Sequence, residues 1–347
     1  MSCREARLQR PLSLAALAVC AAEPAWLGAS WAGAALPADG ASGFAPDALP
    51  LQHIAAPLLG GGLPAEGWFG RAPVRGGVAH GVRYRCDGQL LFGVIDIDEA
   101  AFAPRADAAP LQQAGQHAYD SLFRLLADEG YPQLWRVWNY LADINADAGG
   151  LERYRQFNIG RHQAFESAGR LAGDTIPAAS ALGVTGAAAA GRLSIAFLAA
   201  RSAGRPVENP RQTSAWRYPA DYGPRSPTFS RAMLARLPGQ EWLFVSGTAS
   251  IVGHATRHPG DPAAQTRETV ANLDAVLAAA SRSGGGPAWR RDELSCRAYV
   301  RYPAQLPAIE GELRRALGAA APIVFIHADV CRADLLVEVE AQACHAA

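Results

Sequence analysis

Asp334-Leu335-Leu336-Val337-Glu338-Val339-Glu340-Ala341 is the stretch around which the chain is organised. It reads as a β-strand. Leu335, Val337 and Val339 alternate onto one face, and Leu336, Glu338 and Glu340 fall on the other. A short apolar strand with two glutamates on one face has two readings. Either that face meets water, or a carboxylate is held inside a cleft, where burial raises its pKa and fits it to act as an acid. Taken alone the strand favours water, because most perturbed-looking carboxylates are structural. The rest of the chain has to decide.

Working outward from that strand, Ile323–Ile326 is a further strand, Leu306–Leu317 a helix and Arg297–Tyr302 a strand. Before them come a long helix from Asp261 to about Ala280 and a strand Trp242–Ser246. Gln212–Tyr218 reads as an extended piece and Leu193–Ala199 as a strand. The first half has the same grammar. Val82–Ile97 is a β-hairpin turning at Asp87-Gly88, and Pro110–Glu129 is a helix stopped by Gly130-Tyr131-Pro132. Leu134–Leu141 is a buried aromatic strand, followed by a helix from Leu151 to about Ala168. The expected class is α+β, with two similar sheet-plus-helix units packed together. The units are 81–180 and 181–347, parted within the Gly/Pro/Ala-rich Gly173–Ala190, behind an N-terminal segment 1–80. Residues 23–80 read as irregular loops with one strand at most. Residues 1–22 imitate a secretory signal, with Arg4, Arg7 and Arg10 before an apolar run. That run is short and opens with Pro11, so the preferred reading is a first strand after a ragged start.

Composition bounds the function. The 347 residues are 50% hydrophobic and 18% charged, enough for a large core, and formal net charge is zero. No basic stripe marks a nucleic-acid partner, and no run has the length of a membrane span. All 32 basic residues are arginine. Without lysine there is no Schiff base, pyridoxal phosphate anchor or P-loop lysine. Anions must be bound by backbone amides or by guanidinium groups, which suit planar carboxylates. The six cysteines, Cys3, Cys20, Cys86, Cys296, Cys331 and Cys344, lack the spacing of a zinc site or disulfide scaffold. A reducing cytoplasm is the simplest setting.

Several stretches are candidates for chemistry. His254 and His258 are spaced as metal ligands on a helix would be, with Asp261 nearby, but Gly253, Pro259 and Gly260 make this a loop. Ser246-Gly247-Thr248-Ala249-Ser250 follows a strand without the GxSxG order, and its small residues fit a close backbone approach to a ligand or neighbouring strand. Tyr154 and Arg161 share a helix face. Tyr218, Tyr222, Arg225 and Arg231 punctuate a long proline-rich loop, and such loops are uncommon unless they line a site. Arginines and tyrosines together point to a small anionic ligand with carboxylates and a ring.

Leu243–Ser250, Gln265–Asn272 and Leu336–Ala341 resemble the Rid/YjgF fold. With Leu134–Leu141, Arg153–Phe157, Arg161, Glu208–Gln212 and Tyr222–Ser226, the set resembles the chorismatases across roughly residues 82–341. The resemblance implies two Rid/YjgF-like units and removal of the enolpyruvyl side chain of chorismate as pyruvate, with no cofactor and no metal. Glu338 matches the family's catalytic acid/base. Tyr154, Arg161, Arg225 and Tyr218 match substrate-contacting positions, and Arg161 and Arg225, joined by Arg332, are candidates to clamp two carboxylates. Ala249 and Cys331 fall where branches of the family differ. Ala249 resembles the hydrolysing branch, which makes a dihydroxycyclohexadiene carboxylate, and Cys331 the 3-hydroxybenzoate branch. The pair leans to a mixed 3- and 4-hydroxybenzoate former. The competing expectations are a Rid-like enamine/imine deaminase and a non-catalytic ligand-binding protein. The expected assembly is a monomer or small homo-oligomer. Glu340 stays open: it faces solvent or tunes its neighbour.

Overall fold

A computed structural model of the chain describes residues 9–12, 23–33, 49–62, 64–71, 73–186 and 189–346. The first strands are β1 (Gln9–Leu12), β2 (Trp26–Ala32), β3 (Leu51–Ile54), β4 (Leu58–Gly61) and β5 (Ala65–Phe69). Strands β1, β5, β2 and β3, in that order, form a four-stranded sheet. The expectation of irregular loops over 23–80 is therefore corrected. Gly- and Ala-rich strands carry too few large residues to show a period of two, and these are held by pairing and by buried Trp26, Trp31 and Trp68. Of residues 1–22, the structure describes β1, and the rest of the expected signal-like run lies outside the described residues.

The next elements are β6 (Arg75–Ala79), β7 (Val82–Cys86), β8 (Leu90–Asp98), α1 (Pro110–Glu129), β9 (Gln133–Ala142), α2 (Arg153–Ser167), β10 (Ala178–Val184) and β11 (Arg192–Ala200). Helix α1 begins with Pro110 at its first turn and ends on Gly130 in the left-handed conformation, φ 73°. Leu111, Ala118, Leu122 and Leu125 of α1 and Phe157 and Phe165 of α2 cover one face of the sheet. Then follow β12 (Arg205–Val207), β13 (Ala232–Leu237), β14 (Gln240–Ala249), the short pair β15 (Ile251–Val252) and β16 (Ala255–Thr256), α3 (Pro262–Ser283), β17 (Ser295–Val300), α4 (Leu306–Leu317), β18 (Ile323–His327), β19 (Asp329–Val330) and β20 (Val337–Ala346). Asp261 caps α3, its side chain accepting from the Ala264 amide at 2.9 Å. That cap role accounts for the acid beside His254 and His258. Among the described residues no helix is long and apolar enough to cross a membrane.

The two large sheets run β19-β10-β9-β11-β8-β7-β6 and β12-β13-β14-β20-β17-β18-β4. Their helices lie outside and their inner faces meet. Phe92, Trp135, Trp138 and Leu198 pack against Met233, Trp242, Phe244 and Tyr299. Trp68 of the small sheet enters this seam, with ring centroids 5.5 Å from Trp138 and 6.1 Å from Phe244. The class is α+β, with two sheet-plus-helix units.

Two expectations about this region are corrected. Gly173–Ala190, expected to part the units, contributes β10, which is wholly buried, and the first sheet keeps the chain until Ala200. The small side chains of Ala178-Ala-Ser-Ala are the ones that fit where the sheets approach closely; they do not mark a linker. Gln212–Tyr218 is not extended: it is loop broken by a 3-10 turn at Ala215–Arg217. The strands on that side are β12 and β13.

Candidate active site

The site lies where β10 of the first sheet meets β14 of the second. Here the seam is polar. The Ser230 amide donates to the Pro177 carbonyl at 2.9 Å, and the Ala179 amide donates to Ser246 Oγ at 2.9 Å. Ser246 Oγ in turn donates to the Ser230 carbonyl at 2.5 Å. Strand β19, which lies between two strands of the second sheet in sequence, pairs with β10 at the edge of the first. The units are thus stitched together along one wall.

Strand β14 bulges at this point. Val245 pairs with Ala341 and Thr248 with Val339, so Ser246 and Gly247 both stand opposite Glu340. Such a bulge re-aims the side chains beside it. Gly247 presents no side chain to the Glu338 carboxyl. A Cβ at Gly247 would overlap Glu338 Oε1 and lie 2.7 Å from its Cδ.

A cavity of about 250 Å³ opens over the bulge. Glu338, Gly247, Ala249 and Cys331 form one side, and Ala179, Ser180 and Ala181 of β10 another. Tyr154 and Arg161 of α2 reach in from the first unit. Tyr218, Tyr222, Phe229 and Arg231 come from the long loop, and Arg332 from the turn after β19. Of the residues singled out from the sequence, Glu338, Tyr154, Arg161, Tyr218, Tyr222, Ala249, Arg231, Cys331 and Arg332 share this cavity.

Arg225 is not among the lining residues. It is exposed. The chain turns at Gly223, φ 128°, and Pro224 and Pro227 flank the arginine, so the loop presents it outward. Arg231 faces the cavity instead. It is 4% exposed and its Nη2 donates to Tyr218 Oη and to the Thr213 carbonyl, both at 2.8 Å. Arg225 was expected from the family resemblance; in this structure the path of the loop turns Arg231 toward the cavity and Arg225 away from it. Ser180 and Arg155 also line the cavity without having been singled out.

Three guanidinium groups keep a donor free. Arg161 is buried and gives Nη2 to Asn158 Oδ1 at 2.7 Å. Arg332 gives Nη1 to the His254 carbonyl at 2.8 Å and lies 4.1 Å from the centroid of the Tyr222 ring. Arg161 Nε, Arg231 Nε and Arg332 Nη2 have no hydrogen-bond partner among the described residues. A buried donor left unmade costs about 1–3 kcal/mol. With Arg155 this makes four cations around a cavity large enough for a small ring bearing carboxylates.

Glu338 is 4% exposed. Its described polar contact is the thiol of Cys331, with Sγ 4.0 Å from Oε2. Burial first, and the neighbouring Glu340 carboxylate second, push its pKa from 4.5 up to about 8, against the pull of Arg136, Arg231 and Arg301. At neutral pH it carries its proton. Burial and the Glu338 charge push the Cys331 thiol up to about 12, so it is a neutral wall and not a thiolate nucleophile. Tyr154 is likewise held as the phenol by burial.

Glu340, two residues on, is also 4% exposed, which excludes the solvent-facing reading. It accepts from Arg136 Nη2 at 2.5 Å, Ser180 Oγ at 2.6 Å and Tyr299 Oη at 3.0 Å. His254 accepts the Tyr222 hydroxyl on its backbone carbonyl at 2.6 Å, an edge contact of the cavity's loop.

Comparison with known proteins agrees with this geometry. Residues 66–199 match the family described as Chorismatase FkbO/Hyg5-like, N-terminal. A 3-hydroxybenzoate synthase of Streptomyces hygroscopicus is 38% identical over 287 residues, covering 80% of each chain. A chorismatase of Streptomyces rapamycinicus is 37% identical over 285 residues, covering 80% of this chain and 81% of its own. A crystal structure of a chorismatase superposes with a TM-score of 0.77 at 31% identity, covering 93% of this chain and 94% of that one. This chain belongs to the chorismatase family.

Proposed function

We propose that this cavity cleaves the enolpyruvyl ether of chorismate, giving pyruvate and 3-hydroxybenzoate, 4-hydroxybenzoate or both. The observation that carries the reading is a buried carboxyl, Glu338, whose pKa burial and Glu340 push up to about 8, inside a cavity lined by Arg155, Arg161, Arg231 and Arg332. The names of the relatives support the substrate and the hydroxybenzoate product. Chorismate carries two carboxylates. Arg161 on one side and Arg231 with Arg332 on the other are suited to hold them through charge-assisted hydrogen bonds.

In the proposed chemistry Glu338 gives its proton to the terminal CH₂ carbon of the enol ether. The C=C electron pair forms the new C–H bond and leaves an oxocarbenium centre on the ether carbon. The charge pattern is that of glycosidic cleavage, and the newly ionised Glu338 stands beside it. Capture by a ring hydroxyl, followed by release of pyruvate and aromatisation, returns the proton to the enzyme with no net water. Capture by water adds one water and gives the dihydroxycyclohexadiene carboxylate, the product of the branch that Ala249 resembles. Tyr154, Tyr218 and Cys331 shape the ring's position. No step calls for a metal, a cofactor or a nucleic-acid or membrane partner, and one chain supplies every residue named, so a monomer or small homo-oligomer in the cytoplasm suffices.

Purified protein incubated with chorismate alone should release pyruvate, and chromatography of the aromatic products names the branch. Ammonia released from a 2-aminoacrylate source, without pyruvate from chorismate, would replace this reading with an enamine deaminase. Binding without turnover would leave a ligand-binding protein. Because the protonated form of Glu338 is the active one, kcat/KM should hold through neutral pH and fall tenfold per unit above about 8. A rate that rises across that range would mean that Glu338 acts as a base.

A further inference from the structure

Glu338 and Glu340 point to the same side of β20, one into the cavity and one into a closed charge cluster behind it. That cluster joins the small four-stranded sheet and both large sheets. Arg136 comes from β9 and Ser180 from β10. Arg297 and Tyr299 come from β17, and Glu66 from β5 of the small sheet. Ser180 Oγ accepts from Arg136 Nη2 at 3.2 Å and donates to Glu340, so it is both a cavity wall and a link to the cluster. Arg297 Nη2 is 2.9 Å from Glu66 and donates to Ser30 Oγ at 2.7 Å, whereas its Nη1 is 3.5 Å from Glu340. Glu66 thus draws Arg297 away from Glu340.

We propose that Glu340 is a positioning residue for the reaction: a carboxylate that Arg136, Ser180 and Tyr299 fix behind Glu338 on the same face of the strand, where it disfavours a second charge on Glu338, with Glu66 maintaining the arrangement by holding Arg297. The inference rests on the chorismate-cleaving reading above. Three hydrogen bonds from three strands, from Arg136, Ser180 and Tyr299, are more than a filler carboxylate needs. They satisfy Glu340 as an anion and fix it about one pleat repeat, roughly 7 Å, from its neighbour. Two carboxylates at that spacing in a low-dielectric seam cannot both ionise cheaply.

The charged groups acting most strongly on Glu338 besides Glu340 are Arg136 from β9, Arg231 ahead of β13 and Arg301 after β17; Glu152, Arg155 and Arg161 around α2, Asp221 of the long loop and Arg332 after β19 line the same cavity. Cys331 after β19 and Tyr154 of α2 are neutral near pH 7. Arg301 is spoken for by Asp329 at 2.6 Å, and Arg136 by Glu340. Among the groups acting most strongly on Glu338, Glu340 is the anion, and it shares the strand and the strand face.

The test is the pH profile of pyruvate release from chorismate by wild type, Glu340→Gln and Glu340→Asp. Glu340→Gln should move the alkaline limb of kcat/KM down by about one pH unit or more. The rate at pH 8 then falls on the order of tenfold, while the rate at pH 6 stays near wild type. Glu340→Asp keeps the charge and should restore the limb, even where its altered contacts lower the melting temperature. If Glu340→Gln fails to fold, Glu66→Gln decides: freed Arg297 would turn to Glu340 and the limb should again move down. A limb that stays at the wild-type position in the folded variant, or that Glu340→Asp moves as far as Glu340→Gln, overturns the inference. Absence of pyruvate release by the wild type would instead overturn the chorismate reading, so the two failures are distinguishable.

Discussion

Glu338→Gln is expected to lower pyruvate release from chorismate by about 10³-fold, within the range that general acid catalysis contributes, while substrate still binds within a few-fold of wild type. Glutamine has the shape and neutrality of the protonated carboxyl, so the arginines around the cavity meet an unchanged wall. It lacks the acidic proton that the enol ether must receive. Retained turnover in this variant would end the assignment of Glu338 as proton donor. The same variant should show a second effect of opposite sign. The Glu338 carboxyl has a pKa of 4.5 unfolded and about 8 folded. Below about 4.5 both states hold the proton and burial of the carboxyl has no pH-linked effect. Between 4.5 and 8 the unfolded chain ionises first, and the folded state loses stability on the order of several kcal/mol. Glu338→Gln removes that loss. Its melting temperature should match wild type near pH 4 and exceed it at pH 9. A dead enzyme that is more stable in alkali is the signature of a residue held against its own ionisation.

Gly247→Ala is expected to cost on the order of 10² in kcat with the fold intact. Gly247 is not in a left-handed conformation, so alanine brings no backbone strain. What its methyl meets is the tip of the Glu338 side chain. That tip can swing aside at small cost, so the protein folds. The proton is then delivered from the wrong place, and a displacement near 1 Å is enough for a loss of this size. Shortening the acid should relieve the clash. In a double-mutant cycle with Glu338→Asp, the two losses should therefore sum to more than the loss of the double variant. Strict additivity, or unchanged kcat in Gly247→Ala, would mean that the bulge does not aim the acid.

Helix α1 and the hairpin of β7 and β8 were legible to the residue or nearly so, because large apolar side chains recur at the right period and Pro110 and Gly130 mark the ends. Strand β10 was not, since alanine and serine have no amphipathic contrast; their smallness records the closeness of the second sheet, which no local rule reads. In the site, Tyr154 and Arg161 followed from helical spacing and the family resemblance. Arg231 in place of Arg225 required the path of a loop with four prolines. The surroundings of Glu340 were out of reach altogether. Arg136 lies 204 residues away in sequence, and whether a strand's second glutamate meets water or a guanidinium is decided by which strands the fold brings opposite.

Strand β20 comes after both strands that it joins. Until it is made, the second sheet is two pieces, β12-β13-β14 and β17-β18-β4, with a slot between them. A nascent chain that has not yet made β20 therefore carries two unpaired sheet edges, an arrangement exposed to wrong pairing. The strand that closes the sheet thus also supplies the partner of the buried Arg136 and the carboxyl of the cavity.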